Sequence, residues 1–153
     1  MANRVLVQVS DFSVAEEYAW LTHANATDGA VVNFIGRLRD LNEGVGVQGM
    51  FLEHYPSMTE RVLAEWVLAA RARWELGRVA IVHRVGMLRP ADQIVWVGTT
   101  SPHRANAFAA AEFLMDQLKT TAPFWKKEHT TEGERWVEPR SSDHTRAQRW
   151  RCP

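Results

Sequence analysis

The sequence predicts an α+β fold, a mainly antiparallel sheet with three helices packed on it, in the order βαββαββαββ. Three observations predict this. β-rich runs come in adjacent pairs with turn residues between them. Two Ser-x-x-Glu motifs, Ser13-Val-Ala-Glu16 and Ser57-Met-Thr-Glu60, each open a helical stretch. A third helix opens at Ser101-Pro102, with proline at its tolerated first position.

Residues 4–9 alternate as a strand, and the Ser13 motif starts a helix to about His23 that Asp28-Gly29 closes off. Ala30 to Arg39 and Val47 to Tyr55 read as two strands of a hairpin joined by the 42–46 loop, with Pro56 ending the second. After Ser57, the apolar residues Met58, Val62, Leu63, Trp66, Val67, Ala70 and Trp74 recur at helical spacing until Gly77. Arg78 to Leu88 and Gln93 to Thr100 form a second predicted hairpin around Arg89-Pro-Ala-Asp92. The third helix runs to about Lys119, two extended pieces follow at about 124–129 and 134–138, and a polar tail ends the chain. With 153 residues, 46% of them apolar, we expect residues 1–140 to form one domain and 141–153 to be a flexible tail.

Eighteen basic and eighteen acidic side chains cancel, so no whole-molecule field would draw the chain to nucleic acid or an anionic membrane. The first ten residues lack the hydrophobic region of a signal peptide and no apolar run approaches the roughly 20 residues a membrane span needs, so a cytoplasmic protein is expected. The single cysteine, Cys152, precludes an intramolecular disulfide, and the six histidines show no metal-binding spacing; neither a metal nor another cofactor is expected.

Basic chemistry must therefore be local, and three places can supply it. Arg37 and Arg39, on one face of a strand about 7 Å apart, could hold a phosphate, or could be a solvated strand end. His103-Arg104 opens the third helix, where free N–H groups favour an anion, unless His103 only serves the helix start. Lys119 ends the same helix and is followed by the apolar Ala122-Pro-Phe-Trp125 and then Lys126-Lys127. A lysine against aromatic walls is desolvated, which lowers its pKa and suits it to acid/base work, whereas a lysine at a helix C-terminus can be purely stabilising. His103 and Lys119 are sixteen residues apart, about 24 Å along one helix. If both bind one small ligand, the site is shared between two copies in a two-fold dimer.

Taken together, Phe34-Ile-Gly-Arg-Leu-Arg39, Leu52-Glu-His-Tyr-Pro-Ser-Met58, His83-Arg-Val-Gly86, Ser101-Pro-His-Arg-Ala-Asn-Ala-Phe108 and Lys119-Thr-Thr-Ala-Pro-Phe-Trp-Lys-Lys-Glu128 resemble the large, catalytic subunit family of molybdopterin synthase, from about residue 5 to 140. The resemblance implies a hammerhead-like α/β fold with a small antiparallel subdomain. It also implies a sulfurtransferase that inserts two dithiolene sulfurs into cyclic pyranopterin monophosphate, giving molybdopterin in molybdenum cofactor biosynthesis. The sulfur would come from a small ubiquitin-like carrier subunit with a C-terminal Gly-Gly thiocarboxylate, and two large subunits would form the centre of a heterotetramer. Carried residue by residue onto this chain, Lys119 and Lys126 match the catalytic lysines; Arg39, His103 and Arg104 match substrate contacts, with Arg37, Leu38, Lys127 and Glu128 as contributing neighbours. Leu38 departs from the family's more frequent valine.

Two other readings stand beside this one. The same cations would serve a non-catalytic module that binds a phosphorylated metabolite or a partner's C-terminal carboxylate. Trp125 among basic residues could stack on a nucleic-acid base, but the zero net charge speaks against that reading.

Overall fold

The structure is a computed structural model and describes residues 2–151; Cys152, the single cysteine noted above, lies outside them. In chain order the elements are β1 (Asn3–Gln8), α1 (Val14–Thr22), β2 (Ala30–Arg37), β3 (Leu41–Asn42), β4 (Val45–His54), α2 (Met58–Arg73), β5 (Val79–Arg84), β6 (Gly86–Leu88), β7 (Gln93–Ser101), α3 (Arg104–Thr120), β8 (Phe124–Thr130), β9 (Gly133–Val137) and α4 (Ser141–Gln148). The predicted α+β class holds, with a fourth helix added.

Two sheets divide the work. The first has strand order β1-β5-β7-β2, with β1 parallel to β5 and the other pairs antiparallel. The central strand β5 is covered on both faces, so every residue from Val79 to Val82 is buried. Val79 and Ile81 join Leu63 and Val67 of α2 and Leu114 of α3 in one core, while Ala80 and Val82 join Leu21 of α1 and Trp96 on the other face. The second sheet has the order β3-β4-β8-β9, and β6 pairs with β4. Its inner face packs Leu38, Val47, Met50, Leu52 and Leu88.

The first predicted hairpin is not formed: β2 pairs with β7 in the first sheet, whereas β4 pairs with β8 in the second. The turn signal itself was real but smaller, closing β3 onto β4 through Glu43 (φ 54°) and Gly44 (φ 78°), the two left-handed positions of a tight hairpin turn. The second hairpin exists as β5 against β7, but the run 78–88 is broken. Gly86 takes φ +89°, a left-handed conformation open to glycine, and sends β6 across to β4.

Helix starts differ in detail. Ser13 caps α1 by accepting from Glu16 N at 3.2 Å, but Ser57 sits at φ 69° and its side chain makes no cap bond. The third helix begins at Arg104 rather than at Pro102, because Ser101 still belongs to β7 and its hydroxyl accepts from His103 N. The expected polar tail carries α4, which is seated on α3: Arg146 reaches Glu112 at 3.1 Å, and Trp150 Nε1 donates to Asp116 at 2.6 Å. The Trp150 ring meets Trp74 and Phe113 edge-on at 5.4 and 5.7 Å.

Candidate active site

Where β2, α3 and β8 end near one another, they enclose a cavity of about 250 Å³. Arg37, Leu38 and Arg39 line it from one side, Leu118 and Lys119 from the C-terminal turn of α3, and Phe124, Lys126 and Glu128 from β8; Arg140 and Asp143 close it from the start of α4. Six of the nine residues expected from the sequence therefore meet in one place.

Both arginines line the cavity as expected, but not from a regular strand. β2 ends at Arg37 after a register shift at Gly36/Arg37, so Arg37 to Arg39 form an irregular rim. Leu38 anchors that rim through two backbone bonds, its N–H to Asp92 O at 2.9 Å and its carbonyl accepting from Ala91 N at 2.8 Å. Arg37 Nε donates to Ala91 O at 3.2 Å, which leaves the rest of its guanidinium at the exposed mouth.

Alternation does sort β8. Phe124, Lys126 and Glu128 face the cavity, and Lys127 projects from the opposite face of the strand. There its ammonium lies 2.8 Å from Glu134 and 5.5 Å from the Trp136 ring centroid, so Lys127 is not part of the cavity. Burial pushes the Lys126 pKa down to about 8, and the Lys119 cation pushes the same way against the opposing pull of Asp143 and Glu128. A lysine tuned this close to neutrality can carry a proton in either direction.

Glu128 is buried and fully engaged. Its carboxylate accepts from Asn42 Nδ2 at 3.0 and 3.1 Å and from Arg135 Nε at 3.0 Å. Arg140 in turn donates to Asn42 Oδ1 at 2.7 Å, so the network ties the β3–β4 turn to the start of α4. Glu128 thus shapes the wall rather than offering a free carboxylate.

His103 and Arg104 lie at the far end of α3, exposed and outside the cavity. His103 Nε2 is 3.9 Å from the Glu75 carboxylate. The helix separates them from Lys119 as its length requires.

Sequence reasoning missed four residues of this neighbourhood. Behind the cavity His83 is buried with its Nδ1 2.8 Å from Arg84 O, and burial pushes its pKa down to about 3. Its signal was legible: a histidine following Val79-Ala-Ile-Val82 in a strand buried on both faces has little water to meet. Asn42, Arg140 and Asp143 had no such signal, because they meet only when β3 and α4 fold over β8. Among the described residues no group of three His, Cys, Asp or Glu side chains could hold a metal ion.

Comparison with known proteins follows the same outline. The model of the MoaE protein family matches residues 7–121. The chain is 57% identical over 147 residues to the molybdopterin synthase catalytic subunit of Yersinia pestis, covering 96% of this chain and 97% of that protein. It superposes with a TM-score of 0.82 on the molybdopterin biosynthesis MoaE protein from Burkholderia ambifaria, at 50% identity and covering 98% of each chain. It also shares its fold, at a TM-score of 0.70 and 17% identity over 92% of this chain and 93% of that one, with a chain of the complex of subunits 1 and 2 of the molybdopterin-converting factor from Helicobacter pylori.

Proposed function

This chain belongs to the MoaE protein family, and from that premise we propose how its cavity works. Its activity is that of a molybdopterin synthase catalytic subunit, a sulfur-transferring enzyme of molybdenum cofactor biosynthesis. The substrate in this reading is cyclic pyranopterin monophosphate, and the sulfur arrives as the C-terminal thiocarboxylate of a small ubiquitin-like carrier. The Helicobacter pylori relative is a two-subunit complex, which supports a second subunit here. A cytoplasmic location belongs to the same proposal; among the described residues no helix is long and apolar enough to cross a membrane.

The observation that carries the reading is the half-buried Lys126 sharing a cavity with Lys119, Arg37 and Arg39. Both reactants are anions, and a concentration of fixed cations holds them together. The thiocarboxylate sulfur attacks an oxygen-bearing side-chain carbon of the pterin, the carbon–oxygen bond there breaks and the oxygen leaves protonated. Water then attacks the resulting thioester carbonyl, the acyl carbon–sulfur bond breaks, the sulfur stays on the pterin as a thiolate, and the carrier leaves as a carboxylate. The negative charge on the carbonyl oxygen during that step is stabilised by Lys119. Lys126, with its depressed pKa, is the group that moves the proton. Arg39 contributes to phosphate binding, and His103 and Arg104 do so from a second copy.

The test is reconstitution. Purified chain, thiocarboxylated carrier and pterin precursor form molybdopterin; Lys119→Ala abolishes product while carrier binding by calorimetry stays intact. Undiminished turnover in that variant sinks the catalytic assignment.

A further inference from the structure

We propose that the cleft between α2, α3 and α4 is a second ligand site, one that takes a planar bicyclic heterocycle with a lactam edge and, when filled, braces α4 over the catalytic cavity. The cleft encloses about 560 Å³, within the range of small-molecule sites. The sulfur-transfer reaction proposed above makes no use of it.

Its walls are aromatic. Trp66 of α2 and Trp150 just past α4 both line the cleft, and both stand steeply on the Phe113 ring of α3, at centroid distances of 5.9 and 5.7 Å and interplanar angles of 72° and 87°. Trp150 Nε1 donates to Asp116, which fixes that indole in place. Arg73 belongs to the same wall, engaged by the Trp150 carbonyl and set over the Trp74 and Phe113 rings. Rings held this way offer stacking surface to a flat molecule.

Gln117 supplies the polar contact. The residue is only 6% exposed and lines the cleft, and among the described residues its carboxamide has no hydrogen-bond partner. Its backbone carbonyl is already used, accepting from the N–H and the hydroxyl of Thr121 at 2.9 Å each. A buried side-chain amide left unpaired is rare, and this one faces the space where a ligand would lie.

These groups select the ligand's chemistry. A carboxamide presents an acceptor beside donors, and a lactam presents an N–H beside a carbonyl, so the two meet through a pair of parallel hydrogen bonds. No Asp or Glu lines the cleft, whereas Arg73 and Arg151 do, so the ligand is neutral or anionic. Purines and pteridines share the flat bicyclic ring and the lactam edge. The position of the cleft gives its occupancy a consequence. Thr120, in the last turn of α3, lines both the cleft and the catalytic cavity, while α4 borders the cavity with Asp143 and the cleft with His144 and Ala147. α4 has no buried residue of its own, so a ligand packed against it adds to few existing contacts and steadies the closure of the cavity.

Calorimetry of the full chain with guanosine monophosphate and, separately, with pterin tests the site. At least one of the two should bind, and which one binds tells a purine ligand from a pteridine. Gln117→Leu, which keeps the size of the side chain and removes its amide, should weaken that binding by at least roughly tenfold. Ala69→Phe, which fills the cleft from α2 and leaves Gln117 in place, should do the same. Backbone amide exchange across Ser141–Gln148 should slow when the probe is bound. Binding of neither probe, full affinity in either variant, or unchanged exchange in α4 overturns the proposal. None of these measurements uses turnover, so the site stands or falls apart from the sulfur-transfer reading.

Discussion

His83 lies almost flat against Phe124, with ring centroids 4.0 Å apart and planes 19° from parallel. Phe124 is a cavity-lining residue two positions before Lys126, so the stack forms a dry backing to the lysine. His83 is held neutral there by burial, and the nearby Lys126 and Lys119 cations further oppose its protonation.

That arrangement sets an acid limit on stability. The folded-state pKa of His83, about 3, is below the ordinary 6.5, so between those values the unfolded chain binds a proton that the folded chain does not. Stability from this group is complete above about pH 6.5 and is lost as pH falls toward 3. Urea unfolding at pH 7 and pH 5 should show that loss, and His83→Leu should flatten it while lowering stability at both.

Lys126 sets the acid limb of the activity profile. Its ammonium loses its proton near pH 8, so a rate that requires the free amine should rise through that pH and level off above it. Lys126→Arg, which stays charged throughout, should be at least about 100-fold slower, in keeping with general acid–base catalysis, and should lose the rise. A flat pH profile in the parent enzyme would remove Lys126 from the proton-transfer role.

Glu128 and Lys127 are sequence neighbours with opposite expectations. Glu128 is buried between Asn42 and Arg135, and Glu128→Ala removes the acceptor of Asn42 Nδ2 and of Arg135 Nε, while Arg135 keeps its bond to Asn42 O, at a cost of about 2 kcal/mol. Lys127 pairs with Glu134 on the outer face at 35% side-chain exposure, and Lys127→Ala should cost less than about 1 kcal/mol and spare turnover. Denaturant midpoints of the two variants check both values.

A site completed by two copies predicts complementation. Lys119→Ala and Arg104→Ala chains, each inactive as homodimers, should regain activity when unfolded together and refolded as a mixture. At equal input about half the dimers are mixed, each with one intact site, so roughly a quarter of the parent activity is expected from the symmetry alone. No recovery would place Arg104 outside the working site.

Much of this protein follows from local pattern. The stripe from Leu63 to Ala70, the capping serine of α1 and the buried run of β5 depend on neighbours within a few residues, so periodicity reports them. The pairing of Lys119 with Lys126 was legible for the same reason, since a helix end, a short connection and a strand keep them close in sequence and in space. The separation of His103 from Lys119 was likewise determined, because helix rise is fixed.

Pairing across the chain was a different matter. The run from Ala30 and the run from Val47 carry equivalent β signals, and nothing in either says that one joins β7 and the other β8. That choice is made by which apolar faces find cover, and by Gly86 letting the chain cross between sheets. The outward orientation of Lys127, the Asn42–Glu128–Arg135 network and the closure of the cavity by α4 all depend on that choice. Residue chemistry supplied the cations; only long-range packing, where the entropy of closing large loops is offset by burial of distant surfaces, selected which of them face one another.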